Sequence, residues 1–259
     1  MPPKKARRSA PARLRWGRIA FVAFLGGCIW LGYEYGTLPD PASLEKENPK
    51  TTALIELRAE EARDEGRKPR RSQSWVPLTR VAPHAVDAVL ISEDARFFQH
   101  EGVDLTETRV ALQEAWERKE LGRGASTLTQ QLAKNLWLST DRSLVRKLKE
   151  LILARRLEEK LSKKRILTLY LNVAEWGDGV YGIEAGARRW FGVSAAELTP
   201  AQGAILAAML PAPRRWTPGS GSKNLQTRAL RIVDRLERHG RLNPQAAAFA
   251  RNEVTLALE

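Results

Sequence analysis

The sequence predicts a mainly α-helical domain behind a single apolar anchor near the N-terminus. Apolar residues recur at helical spacing from Ala82 to His239, with recognisable start and stop signals. No stretch alternates apolar and polar residues long enough to build a large sheet. An uncharged run, IAFVAFLGGCIWLGY, extends from Ile19 to Tyr33.

That run follows seven basic residues (Lys4, Lys5, Arg7, Arg8, Arg13, Arg15, Arg18) with no acid among them. It is shorter than the roughly 20 residues a spanning helix needs. Snorkelling by Arg18 and the interfacial aromatics Trp16, Trp30, Tyr33 and Tyr35 extend its reach. A cleaved signal peptide is the competing reading, but EYGTLPDP after Tyr33 offers no small-x-small cleavage site. The division expected is a basic cytoplasmic tail over 1–18, a transmembrane anchor over 19–35, a connector over 36–74 and a folded domain over 75–259. Excess positive charge before the anchor keeps the tail inside and sends the domain out.

The chain has 259 residues and a formal net charge of +13, which calls for an anionic partner without choosing among nucleic acid, phospholipid and phosphorylated substrate. Its one cysteine, Cys28, lies in the apolar run, which rules out a disulfide framework or an intrachain thiolate metal site.

Taken in order, the connector carries four prolines and one exposed helix around Thr52–Glu65. Helices are expected over Ala82–Ser92, over Leu105–Leu121 up to Gly122, and over Thr127–Leu138. A single long helix is expected from Ser143 to Asn172. Thr199, Pro200 and Gln202 form a capping box opening a helix that Pro211 stops, and a last helix runs from Leu225 to His239.

Four segments carry chemistry. In ISEDARFFQHEGVD, Glu93 and Asp94 fall where an apolar helix runs out against Phe97 and Phe98. A carboxylate beside apolar surface and a like charge suits a proton acceptor; solvated acids at a helix end are the plainer reading. In GRGASTLTQQLAKNLWL, Leu128, Leu132 and Leu136 form one stripe, and Thr127, Gln130, Gln131, Lys134 and Asn135 the other face. Hydroxyls, amides and one cation without an acid suit sugar hydroxyls and phosphate oxygens. Ser126 caps that helix in this reading, and Gly122 and Gly124 precede it. In DRSLVRKLKELILARRLEEKLSKKRILTLYLN, Arg146, Lys147 and Glu150 lie within a turn of one another, and Arg142, Lys134 and Lys147 could together hold a pyrophosphate. A surface ion-pair network is the plainer reading. The glycine- and aromatic-rich NVAEWGDGVYGIEAGARRWFG reads as scaffold, with Glu175 and Glu184 as weak candidates.

Taken together, EDARFFQHEG, GASTLTQQLAKN, RKLKELILARRLEEKLSKKRILTLYLN and AAMLPAPRRWTP resemble the peptidoglycan glycosyltransferase family, over residues 75–218. This family forms the polymerase domain of class A penicillin-binding proteins and the stand-alone monofunctional transglycosylases. The resemblance implies a lysozyme-like α-helical domain with a smaller membrane-associated lobe, at the inner membrane. It implies lipid II and the growing glycan chain as substrates, and membrane lipid and cell-wall synthesis proteins as partners, with no nucleic acid. Glu93 would be the catalytic base and Glu150 the second essential glutamate. Ser126, Gln131, Lys134, Asn135, Arg142, Arg146 and Lys147 would contact sugar or pyrophosphate. No cofactor is required by the sequence; the family often uses a divalent cation, Mg or Mn, but no ligand cluster demands one and no metal site is assigned. No Lys-Thr-Gly motif of a transpeptidase occurs, so a monofunctional enzyme is expected. A glycan-cleaving enzyme with two acids and a non-enzymatic basic tether remain the alternatives.

Overall fold

The structure is a computed structural model that describes residues 12–118, 126–141 and 143–259. It divides into two compact units, 1–39 and 40–259.

The first unit is helix α1, Ala12–Gly36. Ile19, Phe21, Val22, Phe24 and Ile29 are all exposed along it. Its 25 residues make a rod about 37 Å long, more than the roughly 30 Å of a bilayer's hydrocarbon core. The apolar run is short, but the helix continues beyond it at both ends, and its length and composition suit a membrane crossing. Residues 1–11 of the basic tail lie outside the described residues.

The second unit begins at Asp40, inside the segment read as a connector. Helix α2, Ala53–Asp64, is capped by Thr52, whose hydroxyl accepts from the Ile55 amide at 3.2 Å. The sequence suggests an exposed helix here, yet Ile55 and Ala62 are buried and α2 packs on a later helix. Polar composition hides a two-residue apolar contact of this kind. A short strand, β1 (Ser72–Gln73), follows.

Two groups of helices form the body. In one, α3 (Pro83–Glu93) packs on α9 (Pro200–Met209), which packs on α10 (Lys223–Arg238) and α11 (Pro244–Leu258). Helix α9 is buried along nearly its whole length, and a Cβ added at Gly203 would stand 2.8 Å from the Ala85 Cα, so only glycine allows α3 and α9 this close. In the other group, α5 (Leu128–Trp137) packs on α2, α6 (Leu144–Lys160) and α7 (Lys163–Val173). Helix α4 (Leu105–Arg118) precedes the second group; residues 119–121, the end of the helix expected there, lie outside the described residues, as do Gly122 and Gly124.

The single long helix expected over 143–172 is two helices. Leu161 is extended, and Ser162 starts α7 by accepting from the Arg165 amide at 3.2 Å. The break turns the chain so that Leu157 and Leu161 of one arm and Ile166 and Leu169 of the other are all buried. Helix α11, absent from the sequence reading, is capped by Asn243 and buries Ala247, Ala250 and Val254.

Strands β2 (Glu175–Gly177) and β3 (Val180–Tyr181) pair antiparallel, and β1 joins β3 in parallel, giving the order β1-β3-β2. Helix α8 (Ile183–Phe191) packs against this small sheet. Gly179, at φ +70, makes the hairpin turn where a Cβ would lie 2.7 Å from the Arg70 Cβ.

Candidate active site

Helix α3 ends at Glu93, and a cleft of about 440 Å³ opens there. Glu93, Ser126, Gln131 and Lys134 line it together, so two segments separated in sequence face one space. The apolar stripe Leu128, Leu132 and Leu136 is buried behind them. Helical periodicity therefore turns Gln131 and Lys134 toward the cleft.

Donors hold both oxygens of Glu93. Gln131 Nε2 donates to Oε2 at 3.0 Å; Arg228 Nη2 reaches Oε1 at 2.9 Å; Ser92 Oγ donates to Oε1 at 3.2 Å. The buried Tyr170 hydroxyl donates to Gln131 Oε1 at 2.9 Å. That bond fixes the amide so that its NH₂ faces Glu93. Burial first, and then Glu93 and Asp94, push the Tyr170 phenol well above its ordinary range, which keeps it a donor.

Asp94 has a different task. It accepts from His100 Nε2 at 2.9 Å and from the Leu128 amide at 2.9 Å, tying the end of α3 to the start of α5. Asp104 likewise accepts from the amides of Thr106 and Glu107 at the start of α4. Asp94, Asp104 and Glu107 all line the cleft, so it is not acid-free. Asp94 serves His100 and the Leu128 amide, while Asp104 Oδ1 serves the backbone and its Oδ2 lies 3.7 Å from Arg96 Nε.

Ser126 does not cap α5. Thr127 does, in a capping box with Gln130, because Thr127 is the residue whose hydroxyl meets the Gln130 amide at 3.2 Å. Thr127 and Gln130 thus bond each other at the helix start, and Thr127 also lines the cleft. Ser126 Oγ accepts from Lys147 Nζ at 2.9 Å.

Glu150 is buried on α6 and carries two cations. Arg146 Nη1 donates to its Oε2 at 2.6 Å, and Lys147 Nζ to its Oε1. Lys147 also reaches Gln130 Oε1 at 3.3 Å. Glu150, Arg146 and Lys147 stand close enough to Lys134 to act on its charge. Desolvation lowers the Lys134 pKa first; Arg146, Lys147 and Arg58 push the same way, against Glu150. Asn135 is half-buried on α5 and is not among the cleft-lining residues. Arg142 lies outside the described residues.

The sequence reading missed Arg228 and Arg235, which line the cleft from α10. One signal was available: they are seven residues apart beside a buried stripe of Leu225, Ala229, Ile232 and Leu236, so they share a helix face. Glu175 and Glu184 serve the scaffold. Arg58 Nε donates to Glu175 at 3.1 Å, though burial still raises that carboxyl's pKa. Glu184 accepts from Arg188 at 2.7 Å and from the Ala195 amide at 2.8 Å.

Residues 60–237 match the family model described as Transglycosylase. The chain is 42% identical over 189 residues to a biosynthetic peptidoglycan transglycosylase of Nitrosomonas eutropha, covering 73% of this chain and 78% of that protein. It is 41% identical over 214 residues to one of Bordetella avium, covering 81% and 89%. A third, of Nitrosospira multiformis, is 39% identical over 222 residues, covering 86% and 96%. A crystal structure of penicillin-binding protein 1A from Haemophilus influenzae aligns at 20% identity and a TM-score of 0.41, over 70% of this chain and 17% of that one.

Proposed function

Because this chain belongs to the transglycosylase family, as a peptidoglycan glycosyltransferase, we propose that it polymerises lipid II into β-1,4-linked glycan strands with inversion and release of undecaprenyl pyrophosphate. The observation that carries this reading is the shared cleft: a carboxylate at position 93 and an ammonium at position 134 line the same space.

Glu93 takes the proton of the acceptor sugar's 4-hydroxyl as that oxygen attacks the anomeric carbon of the donor. Gln131, Ser92 and Arg228 hold the carboxylate in place meanwhile. The pyrophosphate gains charge as the glycosidic bond breaks. Cations fixed beforehand therefore stabilise the transition state more than the ground state. Lys134 lines the cleft in which that charge would develop, and Glu150 holds Arg146 and Lys147 in an ordered cluster close enough to act on Lys134. Arg142 would join this cradle on the strength of the family motif, as would Asn135 from α5.

A divalent cation, Mg or Mn, enters no step here. Both oxygens of Glu150 are taken by side-chain cations, and among the described residues no group of three His, Cys, Asp or Glu gathers. Phe98, Leu105 at the start of α4, and Leu144 and Leu148 at the start of α6 are exposed apolar side chains suited to lipid. With α1 crossing the inner membrane, tail inside, tethering enzyme and lipid-linked substrate to one surface raises their encounter.

Full-length protein in detergent, given lipid II and separately finished sacculi, tests the reading. Polymer from lipid II, absent with Glu93→Gln, is expected. Soluble fragments from sacculi would replace it with a hydrolase, and no product from either substrate would leave a non-enzymatic tether. Undiminished polymer from the variant would take Glu93 out of the base role.

A further inference from the structure

A second cleft, of about 520 Å³, shares no lining residue with the catalytic one. Arg70, Arg71, Arg189 and Arg214 line it, with Trp190 and a single acid, Asp178.

The charges there do not cancel. Asp178 is engaged by Arg214 at 3.5 Å and by Arg67 at 3.9 Å, and Arg214 is shared with Glu61 at 2.8 Å. Arg71 Nη2 donates only to neutral oxygens, the Lys50 carbonyl and Gln73 Oε1, each at 2.7 Å. Among the described residues, Arg70 and Arg189 reach no carboxylate either. Arginines elsewhere in the folded unit do pair: Arg155 with Glu159 and Arg251 with Asp234. Three guanidiniums without a carboxylate around one concavity make a site for an anion, and their planar forks match carboxylate or phosphate oxygens.

The aromatic wall is fixed as well. Trp190 Nε1 donates to the Trp176 carbonyl at 2.6 Å, and the Arg189 guanidinium lies 5.0 Å from the ring centroid. Arg189 lies over the ring and Gly177 packs against it, so the half-buried indole offers a sugar only the part of its apolar surface left exposed. Arg70 is set by the turn beneath it: the Ser72 amide donates to the Gly179 carbonyl at 2.8 Å, and Gly179 lies against Arg70.

We propose that this cleft binds an anionic saccharide, with the sugar ring against Trp190 and its carboxylate held by Arg70, Arg71 and Arg189. Given the glycan-polymerising function proposed above, on which the choice of ligand rests, the carboxylate is that of a muramyl peptide unit on the product strand. The site then holds glycan away from the reacting centre, so losing it affects retention of product and not the chemical step.

Calorimetric titration of the full-length protein in detergent provides the test, with muramyl dipeptide, its carboxamide derivative, N,N′-diacetylchitobiose and phosphatidylglycerol vesicles as probes. The charged muramyl peptide should bind, and Arg70→Ala together with Arg189→Glu should raise its Kd by about tenfold or more, as loss of charge-assisted hydrogen bonds does. Initial polymerisation rates on lipid II should stay unchanged in that variant. Arg70→Ala alone, at an exposed position, should weaken binding in the same direction without touching the fold. Equal binding by variant and wild type, or equal binding of the carboxamide or chitobiose, overturns the proposal. So does vesicle binding that the variant loses while muramyl peptide never binds, which marks a lipid-headgroup surface. Absence of polymer from the wild type would instead sink the glycosyltransferase reading, and leaves the binding result to stand by itself.

Discussion

Two glutamates in this molecule are both largely shielded from water, and their surroundings assign them opposite tasks. The Glu93 side chain is 11% exposed and opens on a cleft; its partners are an amide, a hydroxyl and one guanidinium from a distant helix. The Glu150 side chain is 4% exposed and each of its oxygens already carries a cation from its own helix. The first can meet a substrate hydroxyl. The second is buried and does not line the cleft, so its charge serves to hold Arg146 and Lys147. Residue type did not separate these roles; the geometry around each carboxylate did.

The widest gap between the two should appear in kinetics. Glu93→Gln keeps the side chain's shape but removes the base, and should cut polymerisation by about 100-fold or more, with a smaller loss of stability than at Glu150 because Glu93 pairs with one cation and opens on the cleft. Glu150→Gln should also lose activity, but at a cost in stability of about 1–3 kcal/mol, because Arg146 and Lys147 lose a buried carboxylate. A melting temperature that falls for Glu93→Gln and not for Glu150→Gln would invert the contrast.

A smaller effect separates holding from reacting. Tyr170→Phe removes the bond that fixes the Gln131 amide, which can then turn its oxygen toward Glu93. Turnover should drop by about tenfold, the worth of one hydrogen bond to a charged group, with KM unchanged. A raised KM at constant turnover would mean that Gln131 binds substrate and does not position the base.

The smallest effect is a displacement along the pH axis. Burial lowers the Lys134 pKa, so its ammonium is lost at lower pH than that of an ordinary lysine. Between the lowered folded value and the ordinary unfolded one, the unfolded chain binds more protons. Stability at this site therefore rises with pH across that window, while activity, which needs the charge, falls. Lys134→Arg should move the alkaline limb of the rate profile upward, since guanidinium stays charged. An alkaline limb that does not move would take Lys134 out of the charge-stabilising role.

Much of this site is readable in one dimension. The stripe Leu128, Leu132 and Leu136 tells which way Gln131 and Lys134 point, because helical periodicity is local. The spacing of Arg146, Lys147 and Glu150 predicts their ion cluster by the same rule. Caps were legible when both partners lie within four residues, as at Thr199 and Gln202. They misled at Ser126, where two adjacent hydroxyls compete and only backbone geometry selects Thr127. The break at Ser162 was hidden because the apolar spacing runs on through it, and the burial that favours the turn comes from other helices.

By itself, the sequence determined most of the helices, though not the break at Ser162 or helix α11, together with the apolar anchor and the residues that α5 and α6 present, since each depends on neighbours within a turn or two. Only the tertiary structure decided that Arg228 meets Glu93, that Arg58 meets Glu175, and that the polar stretch after Asp40 joins the folded unit. Those pairs are separated by 135 and 117 positions. No local period reaches so far. Helix packing brings them together, and packing depends on the shape of the whole buried surface.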